Sequence, residues 1–321
     1  MLAARLLLAS TLVLGADASA PQKFSWHDTP GKSVELRIGD RPVLRTMYEP
    51  LDASSPQRQT ATFKVFHHVF SPDGKTLLTD WDPKQLFPHH RGLFYGFNRV
   101  THDGSKQADV WHCTKGAHQL FRKFEVQEAG SDMAREKMEI AWNGNDGQTF
   151  ATEHREITVY NEPGGTLIDF VSTLVPTRDK IKLDGDPQHA GFHFRAAKEV
   201  AVSTKGQTYY LRPDGQGKPG EFRNWEPGKP NSEAARQSIN LPWKGLSIVV
   251  AGKRYTVLRM DHPGNPKPSR HSERDYGRFG DYFVTEVTPE NPLTVRYRIW
   301  VQEGEMTVEA AEAKAKEFTG S

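Results

Sequence analysis

Cys113 is the only cysteine among 321 residues, so the chain can form no intramolecular disulfide, and its stability must come from an ordinary core. Long apolar runs are also scarce. Beyond the first fifteen residues none approaches the roughly 20 residues that a membrane-spanning helix needs, which excludes a span in the mature chain. Charge of one sign is not concentrated anywhere: 42 Lys and Arg stand against 40 Asp and Glu, the net charge is +2, and no basic block could track a phosphate backbone. A nucleic-acid partner is therefore not expected. Helix signals are few, limited to Glu233 to Ser238 and to Thr307 to Phe318, where Thr307 is a plausible N-cap. With 36% hydrophobic and 26% charged residues, what remains is a globular protein built from strands.

Residues 1–18 differ in kind from the rest. Arg5 gives a short positive region, Leu6 to Gly15 is apolar, and Ala16-Asp17-Ala18 offers small residues before a cut at Ser19. This is the layout of a secretory signal, and it predicts a periplasmic or secreted protein with one domain over residues 19–321.

The strand pattern then runs almost without interruption. Val34, Leu36 and Ile38 alternate with polar residues, turn at Gly39-Asp40 and return through Pro42 to Arg45. Phe63 to Phe66 leads to a Ser71-Pro72-Asp73-Gly74 turn. Glu153 to Tyr160 and Thr166 to Val175 flank Glu162-Pro163-Gly164-Gly165, and Tyr255 to Met260 and Leu293 to Val301 supply two further strands. Many short strands with turn signals between them predict an all-β fold, a large antiparallel β-sandwich with a short C-terminal helix. Arg212 to Pro230, rich in Gly, Pro and charge, reads as a long exposed loop near the face of a sheet.

Histidine marks the segments that carry chemistry. Phe87-Pro88-His89-His90-Arg91-Gly92 holds two imidazoles and a guanidinium between proline and glycine, which predicts an extended Phe87 and a held loop. Trp111-His112-Cys113 offers an aromatic platform and a further ligand, with Cys113 read as an inert buried thiol. On the strand His189 to Ala196, His189, Gly191, His193 and Arg195 share one face, and Phe192 and Phe194 share the other, which belongs to a core. Asp261-His262-Pro263-Gly264 closes a strand with two ionisable groups, and Pro266 and Pro268 carry the loop towards Arg270, His271, Arg274 and Tyr276. Arginines and aromatics at such a rim suit hydroxylated or anionic ligands.

Taken in this order, the 87–96 motif, the His189 to Ala196 strand, Asp261 to Pro266, His271 to Gly277 and the closing strand at 292–304 resemble the bacterial family labelled PmoA-like, "methane oxygenase PmoA". The resemblance covers the chain from about Val34 to the terminal helix. It implies carbohydrate use and a fold similar to the galactose-mutarotase-like supersandwich. The label itself implies a metal-dependent oxygenase, but it is borrowed from a membrane-embedded copper enzyme, and this chain, at a mean hydropathy of -0.66, has no spans to match. Relatives carry histidine where this chain has Phe87, which would alter the protein if that position is a ligand and change nothing if it only packs.

The resulting expectation is an exported carbohydrate-active enzyme, a hydrolase, lyase or epimerase, or alternatively a non-catalytic glycan-binding protein. His90 and His193 are the expected acid or base, with Glu153 or Asp261 as complement. Arg91, Arg195 and Arg274 would hold hydroxyl or carboxylate groups, with His89, Trp111, His112, His189, His262, His271 and Tyr276 around the ligand. His90, His193, Arg195 and His262 are expected to line one concavity. No cofactor is certain. Three or more imidazoles meeting at a point would make a divalent metal site, while the alternative for the histidines is a structural role.

Overall fold

The computed structural model of the protein describes residues 22–79, 81 and 87–320. The expected signal at 1–18 lies outside them. Among the described residues there are two large sheets and one small sheet, and the strand pairings described are antiparallel. In spatial order the eight-stranded sheet runs Phe24–Thr29, Ser33–Ile38, Arg41–Met47, Phe66–Val69, Leu93–Phe97, Ala190–Arg195, Arg278–Tyr282, Arg270–Arg274. The nine-stranded sheet runs from Gly215–Gln216 through Tyr209–Arg212, Trp243–Val250, Lys253–Asp261, Leu293–Glu303, Thr166–Pro176, Thr149–Tyr160 and Met133–Asn143 to His118–Ala129. Alternation in the sequence becomes alternation in space: Thr166–Pro176 is buried at every second residue.

The two large sheets pack face to face through aromatic rings. Phe192 of the eight-stranded sheet lies 4.4 Å from the Phe170 ring and 4.6 Å from that of Tyr297, both on the nine-stranded sheet, and the second pair is stacked. The outer face of the nine-stranded sheet is covered by the terminal helix Val308–Thr319, which packs Ala311 and Ala315 against Trp243, Leu258 and Trp300. Thr307 caps it by accepting from the Ala310 amide, and Gly320 ends it in the left-handed region. The sandwich and the helix are thus those the sequence predicts. The helix Pro56–Thr62 and the long hairpin of His118–Ala129 with Met133–Asn143 were not anticipated. The hairpin's first strand is an edge, exposed along much of its length and rich in charge, so it carries little apolar alternation to read.

Ala190–Arg195 occupies the middle of its sheet, between Leu93–Phe97 and Arg278–Tyr282. Phe192 and Phe194 enter the core, and His193 faces the other way. That second face is not open. Phe66, Phe94 and Trp111 form a cluster of their own over it, joined by Trp81. Gly280, opposite His193, is what lets the imidazole lie flat there, since a Cβ at this position would fall 2.3 Å from the ring.

Between the sheets lies a buried polar group whose charge state depends on burial. Glu136 accepts from the Thr46 hydroxyl, stands 3.7 Å from His67, and has its carboxyl pushed up to about 8, chiefly by burial. His67 is held well below the usual histidine range by burial and by the nearby Arg155 guanidinium. From pH 4.5 to about 8 the unfolded chain has released the Glu136 proton while the folded chain keeps it. This group alone therefore weakens folding by about 1.4 kcal/mol per pH unit across that window. Glu136→Gln is expected to flatten the decline. Urea melts at pH 5 and pH 7.5 check it, and parallel losses in wild type and variant would show that Glu136 is ionised in the fold.

Candidate functional site

Two loops and one strand end meet over the outer face of the eight-stranded sheet. In the first loop, Phe87 has φ of 65° rather than the extended conformation expected before proline. Its carbonyl accepts from the His90 amide at 3.1 Å, closing a tight turn, and its ring stacks on Tyr276 at 5.2 Å. These contacts outweigh the local preference imposed by Pro88. Gly92 then takes the chain past His67, where a Cβ would come within 2.0 Å of the His67 carbonyl oxygen. In the second loop, Asp109 folds the chain over itself: Oδ1 accepts from the amides of Trp111 and His112, and Oδ2 meets His112 Nδ1 at 2.8 Å. Lys64 joins the two loops from beneath. Its buried ammonium donates to the carbonyls of His89 and Trp111 and lies 4.1 Å from the Phe94 ring centre. Burial, foremost, draws its pKa down to about 7.

The third contributor is His189, just before the central strand. Its Nδ1 lies 3.0 Å from Asp186 Oδ1, and Asp186 is fixed in turn by Asn98 Nδ2 and the Gln188 amide. The three loops bring His89, His112 and His189 into one group, each offering a ring nitrogen within 4.8 Å of the others. Ring centroids are 4.8 Å apart for His89 and His112, 4.5 Å for His112 and His189, and 5.3 Å for His89 and His189. His90 stacks on His189 from below at 5.3 Å and is itself buried. Burial pulls the His89 pKa down to about 3, helped by the nearby His112 and Lys64. His89 is therefore a neutral imidazole at neutral pH, and His112 and His189 are oriented by carboxylates. Such rings can accept a proton, donate one, or bind an ion.

A family model matches residues 33–316. The chain belongs to DUF6807, a family of unknown function. No curated protein matches its sequence. Among solved structures it is similar to a galactose mutarotase-like protein of Clostridium acetobutylicum, with 8% identity, a TM-score of 0.43, and coverage of 88% of this chain and 98% of that one. It is also similar to the Slr1438 protein of Synechocystis, at 9% identity and a TM-score of 0.42, covering 92% and 100% of the two chains. An α-galactosidase of Geobacillus stearothermophilus matches at 9% identity and a TM-score of 0.40 over 90% of this chain and 42% of the enzyme. Likeness at this level concerns strand arrangement and carries nothing about a reaction.

Within this DUF6807 member, several residues expected at the ligand are part of the packing instead. His193 is 2% exposed, with Nε2 2.8 Å from the Ala190 carbonyl oxygen and Trp111 over its ring at 4.6 Å. Trp111 is fully buried, the floor under the histidines rather than a platform for a ligand. Arg91 donates to the carbonyls of Thr60, Ala61 and Pro88 and lies against Trp81 and Phe63, so it holds the helix Pro56–Thr62 to the loop. Arg195 donates to the Tyr276 carbonyl and lies under that ring. Glu153 faces the interior, bidentate with Arg155 and accepting from Trp142 Nε1, because residues two apart on a strand share a face. Asp261 accepts from Lys267 and Asn265, and His271 meets Arg259, which pairs with Asp281. Asp261, His271 and Asp281 also lie within reach of one ion, but two cationic side chains already occupy that buried space. His262 packs on Phe318 of the terminal helix, away from the histidine group, so the four residues expected to share one concavity do not.

Beside His189 opens a groove of about 320 Å³ lined by Asp186, Pro187, Gln188, His189, Asn224, Trp225, Glu226, Pro227 and Arg274. Four of these come from the loop at 212–230, read above only as an exposed connection. Its two aromatics within a Gly- and Pro-rich stretch, Phe222 and Trp225, were the available signal. Asp109 and Asp186 were missed too, since each orients a histidine three residues later across a turn that strand periodicity does not reveal.

Burial reverses what the sequence suggested for His193. His193→Ala is expected to destabilise by more than about 2 kcal/mol, as for other buried truncations, while His262→Ala stays within about 0.5 kcal/mol of wild type. Thermal melts of the two variants decide it. Equal melting temperatures would mean that His193 is not a packing element.

Proposed function

We propose that this chain is an exported carbohydrate-active enzyme whose reaction takes place where His89, His112 and His189 face the groove of Trp225 and Arg274. One observation carries the reading: three imidazoles, two of them fixed through Nδ1 by Asp109 and Asp186, converge at the edge of a cavity that shares His189 and Asp186 with them. The cavity suits a hydroxylated ligand. Trp225 offers a flat apolar face, and Arg274, Asn224, Gln188 and Glu226 offer donors and acceptors that can fix hydroxyl groups in place. Its volume stands at the low end of ligand pockets, about 300 to 1,000 Å³, which favours a single sugar unit over a chain. An imidazole whose Nδ1 is held by a carboxylate directs its Nε2 at that ligand, the orientation general base catalysis requires.

Turnover on chromogenic glycosides, uronides and 3-keto sugars tests the proposal. At least one class is expected to react, and His112→Gln or His189→Gln should lower the rate by about 100-fold or more while the melting temperature holds. Sugar binding without turnover on any class would overturn the enzyme and leave a glycan-binding protein.

A further inference from the structure

We infer that His89, His112 and His189 form a three-histidine site for a divalent transition-metal ion, bound through ring nitrogens that face one another beside the groove. The argument starts from the tautomers. Asp109 and Asp186 hold Nδ1 of His112 and His189 at 2.8 and 3.0 Å, and a carboxylate partner requires a proton on that nitrogen. Nε2 of each ring is then the nitrogen left free of the carboxylate to meet a ligand. His89 Nε2, buried from solvent, has no hydrogen-bond partner among the described residues. A ring nitrogen from each of the three residues lies within 4.8 Å of the others, and a shared Lewis acid is the group that turns this convergence into bonding.

The surroundings fit an ion as well. Imidazole ligands around zinc stand about 2.0 to 2.1 Å from the metal, which places nitrogens of a tetrahedral site about 3.3 Å apart. Small ring rotations close the remaining gap. Carboxylates behind the ligands, themselves held by Asn98 and by backbone amides, are the outer shell that metal-binding histidines have. Their two negative charges match a dication. Three protein ligands leave a coordination position open, and His189 places it towards the groove.

The inference deepens the function proposed above by naming the cofactor of the same histidines, and its test separates the two. Protein dialysed against EDTA is titrated with Zn²⁺ alone in a calorimeter, and with Co²⁺ while visible absorption reports imidazole coordination. One ion per chain and a raised melting temperature are expected. Asp109→Asn and Asp186→Asn should weaken binding by about 10- to 100-fold, and His89→Ala, His112→Ala and His189→Ala by more. If an alanine variant fails to fold, the partly exposed His112 replaced by Gln serves in its place. No saturable Zn²⁺ binding, or binding that survives all three histidine substitutions, overturns the site. Zn²⁺ binding by a protein that turns over no sugar supports the site and removes the enzyme reading, whereas undiminished turnover in metal-free protein does the opposite.

Discussion

The Lys64 ammonium is the contact on which the site depends. Buried beneath the histidine loops, it takes the carbonyls of His89 and Trp111 as acceptors and a Phe94 ring as its apolar neighbour. An isolated buried ammonium is costly, and among the described residues this one has no carboxylate partner at hydrogen-bonding distance, so its hydrogen bonds to two carbonyls and its aromatic contacts must offset the loss of water. Both loops are needed for that. If either moves, a donor is left unpaired in the interior, so the segments holding His89 and His112 are held in place together.

Around this contact charge is buried on both sides of the eight-stranded sheet. Between the sheets the rings of Phe170, Phe192 and Tyr297 pack together with the Arg155 guanidinium against Phe170 and that of Arg259 against Tyr297, each paired with a buried carboxylate. On the outer face of the eight-stranded sheet, arginines and histidines are buried among aromatic rings: Arg91 against Trp81, Arg195 against Tyr276, His193 under Trp111. Such a layer is expensive to assemble and rigid once assembled, since each member is also the partner of another. It gives the half-buried histidines above it a fixed floor. That is the support a constellation of reacting groups requires, because small displacements of a catalytic group are felt strongly.

Phe87 illustrates the same logic. Its ring stacks on Tyr276 and meets His89 and His90 edge-on at 6.1 and 6.3 Å. The side chain therefore works by packing, holding Tyr276 against the loop that carries His89 and His90. The loop at 212–230 is the opposite case, a segment with no periodicity that supplies Asn224, Trp225 and Glu226 to the groove wall.

By itself the sequence determined the fold class, because burial on one side of a strand leaves a two-residue period that can be read directly, as in Thr166–Pro176 and Leu293–Glu303. The capped terminal helix was legible for the same local reasons, with Thr307 at one end and Gly320 at the other. So were the segments that hold the site, since proline, glycine and histidine were concentrated there. Which histidines face outward was decided only by tertiary structure. The two-residue period puts His189 and His193 on one face, yet His189 lies just before the strand and meets Asp186 at the groove, while His193 lies under Trp111, a residue from a loop just over eighty positions earlier. Periodicity assigns a side chain to a face of a sheet. What covers that face is set by contacts between segments far apart in the chain, and no local pattern encodes them.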